Sequence, residues 1–234
     1  MMKETKLRIE PVSETSWILY LGEEIDVHLA PLIGQFSERI ANRCPEVIEV
    51  TPSYTSILVE LDVLHADFDK FPNRVRRLHS ELVQGKSDDS SRLHLLPVYY
   101  SPEVAPDLIE LADHCGVPVE EVIRLHSSCE YHVCAIGFAP GFAFLAELDE
   151  RIAHPRKTTP RKKVAAGSVG IADRQTAVYP SESPGGWQII GRCPELLFDR
   201  MKDPVSPFVV GDRVKFEPIS KDEYLRAGGE IGNG

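Results

Sequence analysis

The sequence predicts an α+β protein in two parts: an N-terminal βαββαβ domain of ferredoxin-like order over residues 1–98, and a β-barrel or sandwich over residues 99–234. Two observations carry this. Before residue 98, strand-like runs alternate with helix-period runs; after residue 130, short apolar runs are cut by Gly and Pro about every ten residues. A third is length, since 234 residues allow one large domain or two modest ones.

The elements follow in order. Ser16-Trp17-Ile18-Leu19-Tyr20-Leu21 is rich in β-branched and aromatic residues and stops at Gly22, which predicts a strand. Leu29, Leu32, Ile33, Phe36 and Ile40 recur at spacings of three and four and predict a helix over 28–43. Residues 47–50 and 54–61 read as strands around the turn Thr51-Pro52-Ser53. Phe71, Val75, Leu78 and Leu82 predict a helix over 69–84, ended by Gly85 and the polar run 86–91. Leu93-His94-Leu95-Leu96-Pro97 then completes the βαββαβ order. Two short helices follow, over 106–114 and 118–125; Pro118 suits a first-turn position. Strands are expected at 131–136, 164–171, 177–179, 187–190 and 207–218, and a frayed tail over 220–234.

Composition excludes several classes. With 26 basic against 36 acidic side chains and a formal charge of −10, the chain is no generic nucleic-acid binder. No run approaches the ~20 apolar residues of a membrane span. Met1-Met2-Lys3-Glu4-Thr5 opens without an apolar signal core, so a cytoplasmic protein is expected. Five scattered cysteines (44, 115, 129, 134 and 193) form no CxxC pair, which favours reduced, mostly buried thiols over a metal site, with Cys129 and Cys134 as an alternative redox pair.

Four segments could carry chemistry. In Gly137-Phe138-Ala139-Pro140-Gly141-Phe142, the glycines and proline allow a sharp turn against a ligand and the phenylalanines an apolar wall; the alternative is a turn capping the barrel. Six of the 13 residues over 151–163 are basic (Arg151, Arg156, Lys157, Arg161, Lys162 and Lys163), with His154 among them. Pro155 and Pro160 keep this stretch out of a long helix, so it suits a small anion, or equally a solvated loop. Gly167-Ser168-Val169-Gly170 lacks the Lys-Ser/Thr of a nucleotide P-loop and reads as strand. Over 175–188, Gln175, Tyr179, Glu182, Ser183, Gly185, Gly186 and Gln188 crowd around a Pro-Gly-Gly turn, suiting recognition of a small polar molecule, with Glu182 a candidate base. The alternative there is a long hairpin with Trp187 in the core.

These segments together resemble a family. Glu120-Glu121-Val122-Ile123-Arg124-Leu125-His126, Ile136-Gly137-Phe138-x-Pro140-Gly141-Phe142, His154-Pro155-Arg156 and Thr159-Pro160-Arg161 are similar to motifs of the 5-oxoprolinase B-subunit family, also called KipI-like or allophanate hydrolase subunit 1. So are Ala166-Gly167-Ser168-Val169-Gly170-Ile171-Ala172, Gln175-Thr176, Tyr179-Pro180 and Glu182-Ser183-Pro184-Gly185-Gly186-Trp187-Gln188. The likeness is densest over 120–199. Ala165, in place of a common proline, and Ala143-Phe144-Leu145-Ala146-Glu147, in place of a glycine-rich stretch, depart from it.

The resemblance implies a cyclophilin-like, carboxyltransferase-type barrel over 99–234. It also implies a cytoplasmic protein working with two partners of one complex, a KipA-like C-subunit plus an A-subunit. Together these hydrolyse 5-oxoproline to L-glutamate with ATP as co-substrate, together with Mg²⁺ and without a prosthetic group or a metal site in this chain. Within that frame His154 moves a proton, Arg156, Arg161 and Lys163 hold carboxylate and phosphate charge, and Glu182 activates water. Gln175, Tyr179 and Gln188 read the lactam, while Gly137, Phe138, Pro140, Gly141, Ser183, Gly185 and Gly186 shape the binding site. The resemblance also admits inhibition of a histidine kinase, with Phe138, Phe142 and Phe144 as anchors, or a part in an allophanate or urea-type amidohydrolase or carboxyltransferase.

Overall fold

A computed structural model describes residues 7–85 and 91–231; the opening residues 1–5 and most of the polar run 86–91 lie outside them. The chain divides into two compact units, residues 7–92 with 209–212, and residues 93–208 with 213–231.

The first unit contains β1 (Arg8–Pro11), β2 (Ser16–Tyr20), α1 (Ala30–Arg43), β3 (Val47–Pro52), β4 (Ser56–Leu61) and α2 (Phe71–Gln84). Its sheet runs β1-β2-β4-β3, with every pair antiparallel. Period-2 alternation in β4 sends Ile57, Val59 and Leu61 inward and leaves Leu58 and Glu60 outside. Helix α1 buries Ile33, Phe36 and Ile40, and α2 buries Phe71, Val75, Leu78 and Leu82, the stripes read from spacing, each side chain contributing about 1.5–3 kcal/mol. Strand β1 was not foreseen, because Arg-Ile-Glu-Pro is short and half charged; it is an edge strand with the Arg8 guanidinium 4.0 Å from the Tyr20 ring centroid. Residues 209–212 return to α1, where Gly34 makes room: a Cβ there would sit 2.0 Å from the Val210 carbonyl oxygen. The buried Asp212 carboxylate accepts from the N–H groups of Arg92 and Val209.

The second unit begins with β5 (Leu93–Val98), α3 (Leu108–Cys115), α4 (Val119–Ser128), β6 (Glu130–Ile136) and β7 (Ala143–Ala146). It continues through β8 (Arg161–Val164), β9 (Ser168–Ala172), β10 (Gln175–Val178), β11 (Ser183–Gly185), β12 (Gln188–Arg192), β13 (Arg213–Pro218) and α5 (Lys221–Arg226). Seven strands run β12-β9-β10-β7-β6-β13-β5. A bridge between Tyr99 and Arg192 links the two ends, so the sheet is a nearly closed barrel. A small β8–β11 ribbon stands apart from it.

This corrects the βαββαβ order. Strand β5 is where the sequence puts it, but it pairs in parallel with β13 at the barrel edge and takes no place in the four-stranded sheet. Alternation identifies a strand without naming its partner. The frayed tail is corrected over residues 220–226, while residues 232–234 lie outside the described residues. Ser220 and Glu223 form a reciprocal capping box that starts α5, and Tyr224 is buried.

A buried polar string joins α4 to β10. Thr176 Oγ1 donates to the Gly170 carbonyl at 3.0 Å, so it accepts from His126 Nε2–H at 2.8 Å. That leaves His126 Nδ1 to accept the Tyr100 hydroxyl at 2.7 Å. His126 is fully buried and stacks on Phe216. Burial pushes its pKa down to about 3, so the ring is neutral. No helix among the described residues is long and apolar enough to cross a membrane.

Candidate functional site

The β6–β7 turn, the loop after His154 and the strand β11 converge on one cleft of about 100 Å³ in the second unit. Phe138, Phe142, Phe144, Arg156, Tyr179, Gly185, Gly186 and Trp187 line it. Phe142 meets Phe144, Tyr179 and Trp187 edge to face at centroid distances of 4.9, 5.3 and 5.6 Å, the geometry that aromatic quadrupoles prefer. Phe142, Tyr179 and Trp187 belong to a core cluster with Val164, Ala172, Ala177 and Ile189, and Phe144 packs against it, so the cleft floor is part of the core. Tyr179 is buried, and burial raises its phenol pKa, keeping the hydroxyl protonated.

Glycine is required at two points here. Gly185 lies against Tyr179: a Cβ would come 2.3 Å from the phenol oxygen. Gly141 has φ +80°, and its Cβ would come 2.7 Å from the Leu197 carbonyl oxygen. Three residues before Gly141, Phe138 takes φ 70°, rare for a bulky side chain, and lines the cleft while 65% exposed. Pro140 sits exposed in the same turn.

The basic residues divide sharply. Arg156 is the cation lining the cleft, with its guanidinium carbon 5.7 Å from the Trp187 ring centroid and no carboxylate partner among the described residues. Arg161 and Lys157 are already engaged. Asp107, 1% exposed, accepts Arg161 Nη2 at 2.6 Å and Lys157 Nζ at 2.8 Å on one oxygen, and the Ile189 N–H at 2.7 Å on the other. Burial alone would raise the Asp107 pKa, but the hydrogen bonds from Arg161, Lys157 and Ile189 outweigh it and hold the carboxyl below its ordinary value. Lys163 pairs with Glu182 at 2.9 Å across the β8–β11 ribbon; both are largely exposed, and neither lines the cleft.

His154 and Gln188 stand together beside this loop. Gln188 is buried, and its amide nitrogen lies 3.0 Å from the Pro155 carbonyl and 3.1 Å from His154 Nδ1. His154 Nδ1 itself lies 3.0 Å from the same Pro155 carbonyl, so the imidazole, the amide and the carbonyl form one polar cluster. Gln175 opens β10 opposite Ala172 of β9 and is not among the lining residues. The Ser183 hydroxyl, also outside the lining, is buried without a hydrogen-bond partner.

Sequence reasoning therefore reached the cleft through Phe138, Arg156, Tyr179, Gly185 and Gly186, and through the aromatics Phe142, Phe144 and Trp187 noted beside them. It missed Asp107. That residue opens α3 but makes no capping bond to it; its carboxylate reaches segments more than 50 residues away, which no local pattern signals.

Residues 7–208 match the carboxyltransferase domain family, subdomain C and D. The chain is 36% identical to the 5-oxoprolinase B subunit of Bacillus subtilis (strain 168) over 230 residues, 94% of this chain and 95% of that protein. It belongs to the 5-oxoprolinase B-subunit family. The solved structure of TTHA0988 is 31% identical, with TM-score 0.75 over 88% of this chain and 40% of that one. Kluyveromyces lactis urea amidolyase, 19% identical with TM-score 0.68, shares the fold over 94% of this chain and 15% of its own length. This family member thus spans well under half of each of those two larger chains.

Proposed function

We propose that this chain is the B subunit of a cytoplasmic, ATP-dependent 5-oxoprolinase, active with a KipA-like C-subunit plus an A-subunit, and that its barrel is cyclophilin-like. The observation that carries the reading is the aromatic cleft with one uncommitted guanidinium, in a chain 36% identical to a 5-oxoprolinase B subunit. A five-membered lactam offers a flat apolar ring to Phe142 and Trp187 and a carboxylate to Arg156.

A lactam carbonyl is a poor electrophile. Its oxygen takes the γ-phosphoryl group of ATP and ADP leaves; one water then adds to the carbon and the C–N bond breaks as nitrogen gains a proton, leaving a γ-carboxyl phosphate, and a second water hydrolyses that acyl phosphate to glutamate and phosphate. In this reading Arg156 holds the substrate carboxylate and Tyr179 donates to the ring from the cleft wall. His154, held beside Gln188 and the Pro155 carbonyl, moves the proton. Glu182 and Lys163 form an exposed pair, better suited to binding a partner or product than to activating water. Among the described residues no group of three or more metal-ligating side chains occurs; Mg²⁺ enters this scheme on the nucleotide phosphates.

The test is glutamate and phosphate release from 5-oxoproline and ATP by the complex reconstituted from all three subunits, omitting each in turn. Glutamate formation that depends on this chain is expected. Turnover that continues without it, or an assembled complex inert toward 5-oxoproline, overturns the reading.

A further inference from the structure

We infer that Asp107 is the positioning residue of the cleft: one buried carboxylate that fixes the Arg156 loop against the Gly186–Trp187 wall. Each of its bonds reaches one side or the other. Lys157, whose Nζ binds Asp107 Oδ1, is the direct neighbour of Arg156, and its backbone N–H donates to the Gly186 carbonyl at 2.7 Å. Arg161 binds the same oxygen and places its other terminal nitrogen 3.5 Å from the Trp187 carbonyl. The second carboxylate oxygen takes the Ile189 N–H, and the Asp107 N–H donates in return to the Ile189 carbonyl at 3.2 Å. Asp107 thereby ties residues 157–161 to residues 187–189, the two segments that present Arg156 and Trp187 to the cleft.

The arrangement also sorts the cations. Lys157 and Arg161 are 23% and 27% exposed, and Asp107 keeps both committed, so an incoming carboxylate meets Arg156 alone. Without that counter-charge, two like charges sharing one oxygen's place would repel, and the loop carrying Arg156 would lose its anchor. Asp107 does not line the cleft and touches no substrate there. It acts through Arg156.

The kinetic arm of the test rests on the proposed function; the spectroscopic arm does not. In the lone chain with Trp17→Phe, Trp187 is the remaining tryptophan. Asp107→Asn is expected to shift its emission to the red as the wall opens, with far-UV circular dichroism unchanged. In the assembled complex, Asp107→Asn is expected to raise KM for 5-oxoproline at least tenfold while KM for ATP moves less than twofold. Combining it with Arg156→Gln should add little, because the two changes remove one interaction. Additive effects on KM, or unchanged Trp187 emission and unchanged KM, overturn the assignment. If Asp107→Asn fails to fold, Lys157→Gln loosens one arm only and should show the same pattern at smaller size; a Lys157→Gln protein with native emission and native KM overturns it equally. A complex without 5-oxoprolinase turnover defeats the proposed function, and the emission shift still decides the role of Asp107.

Discussion

Replacing Tyr100 and His126 together by Phe and Leu should remove a defined share of the barrel's acid sensitivity. His126 is fully buried between Tyr100 and Thr176, with its pKa at about 3, against about 6.5 in an unfolded chain. Below pH 6.5 the unfolded state therefore binds a proton that the folded state refuses. Stability falls as the pH drops, with a slope approaching about 1.4 kcal/mol per unit, until the folded pKa is reached. Between pH 6.5 and 4.5 the loss from this one residue is about 2 kcal/mol. The double variant keeps the Thr176 bond to Gly170 and leaves no orphaned Tyr100 hydroxyl. Carboxylates with depressed pKa values also lose stability in acid, but they do so equally in both proteins. Urea unfolding at the two pH values, followed by Trp187 emission in a Trp17→Phe background so that the second unit alone reports, reads the difference directly. The variant should lose about 2 kcal/mol less than the parent over that interval. Equal losses would refute the claim that His126 is buried neutral.

Other expectations are simpler to read. Gly167 has φ +77°, and a Cβ there would sit 2.2 Å from the Cys193 carbonyl oxygen, so Gly167→Ala should cost more than about 2 kcal/mol in chemical denaturation. Lys163→Ala removes only an exposed pair with Glu182 and should change stability by less than about 1 kcal/mol. All five cysteines are free, Cys44, Cys134 and Cys193 are buried, and burial raises Cys134 and Cys193 to about 12. A thiol reagent at pH 8 should accordingly modify at most Cys115 and Cys129 before unfolding, and all five afterwards.

How much of this was legible in the sequence depends on the range of the interaction. Helices α1 and α2 were readable because a stripe such as Phe71, Val75, Leu78 and Leu82 is a local, periodic signal. Strand β5 was readable as a strand, yet its parallel pairing with β13, some 120 residues later, was not. Strands β7 and β11 escaped notice because they are four and three residues long. The capping box of α5 was present as Ser-x-x-Glu and could have been read. In the site, the glycines, Tyr179 and Arg156 stood out by composition, whereas the division of the cations did not. Arg156 and Arg161 look equivalent in a basic run, and only the position of Asp107 separates them.

The most direct test of the lactam site is the substrate dependence of an Arg156→Gln complex, since Arg156 is the cation that faces the cleft. Losing a charge-assisted contact worth about 1.5–3 kcal/mol should raise KM for 5-oxoproline roughly tenfold to hundredfold and leave KM for ATP unchanged. A KM for 5-oxoproline equal to that of the parent complex would contradict the assignment of the cleft as the lactam site.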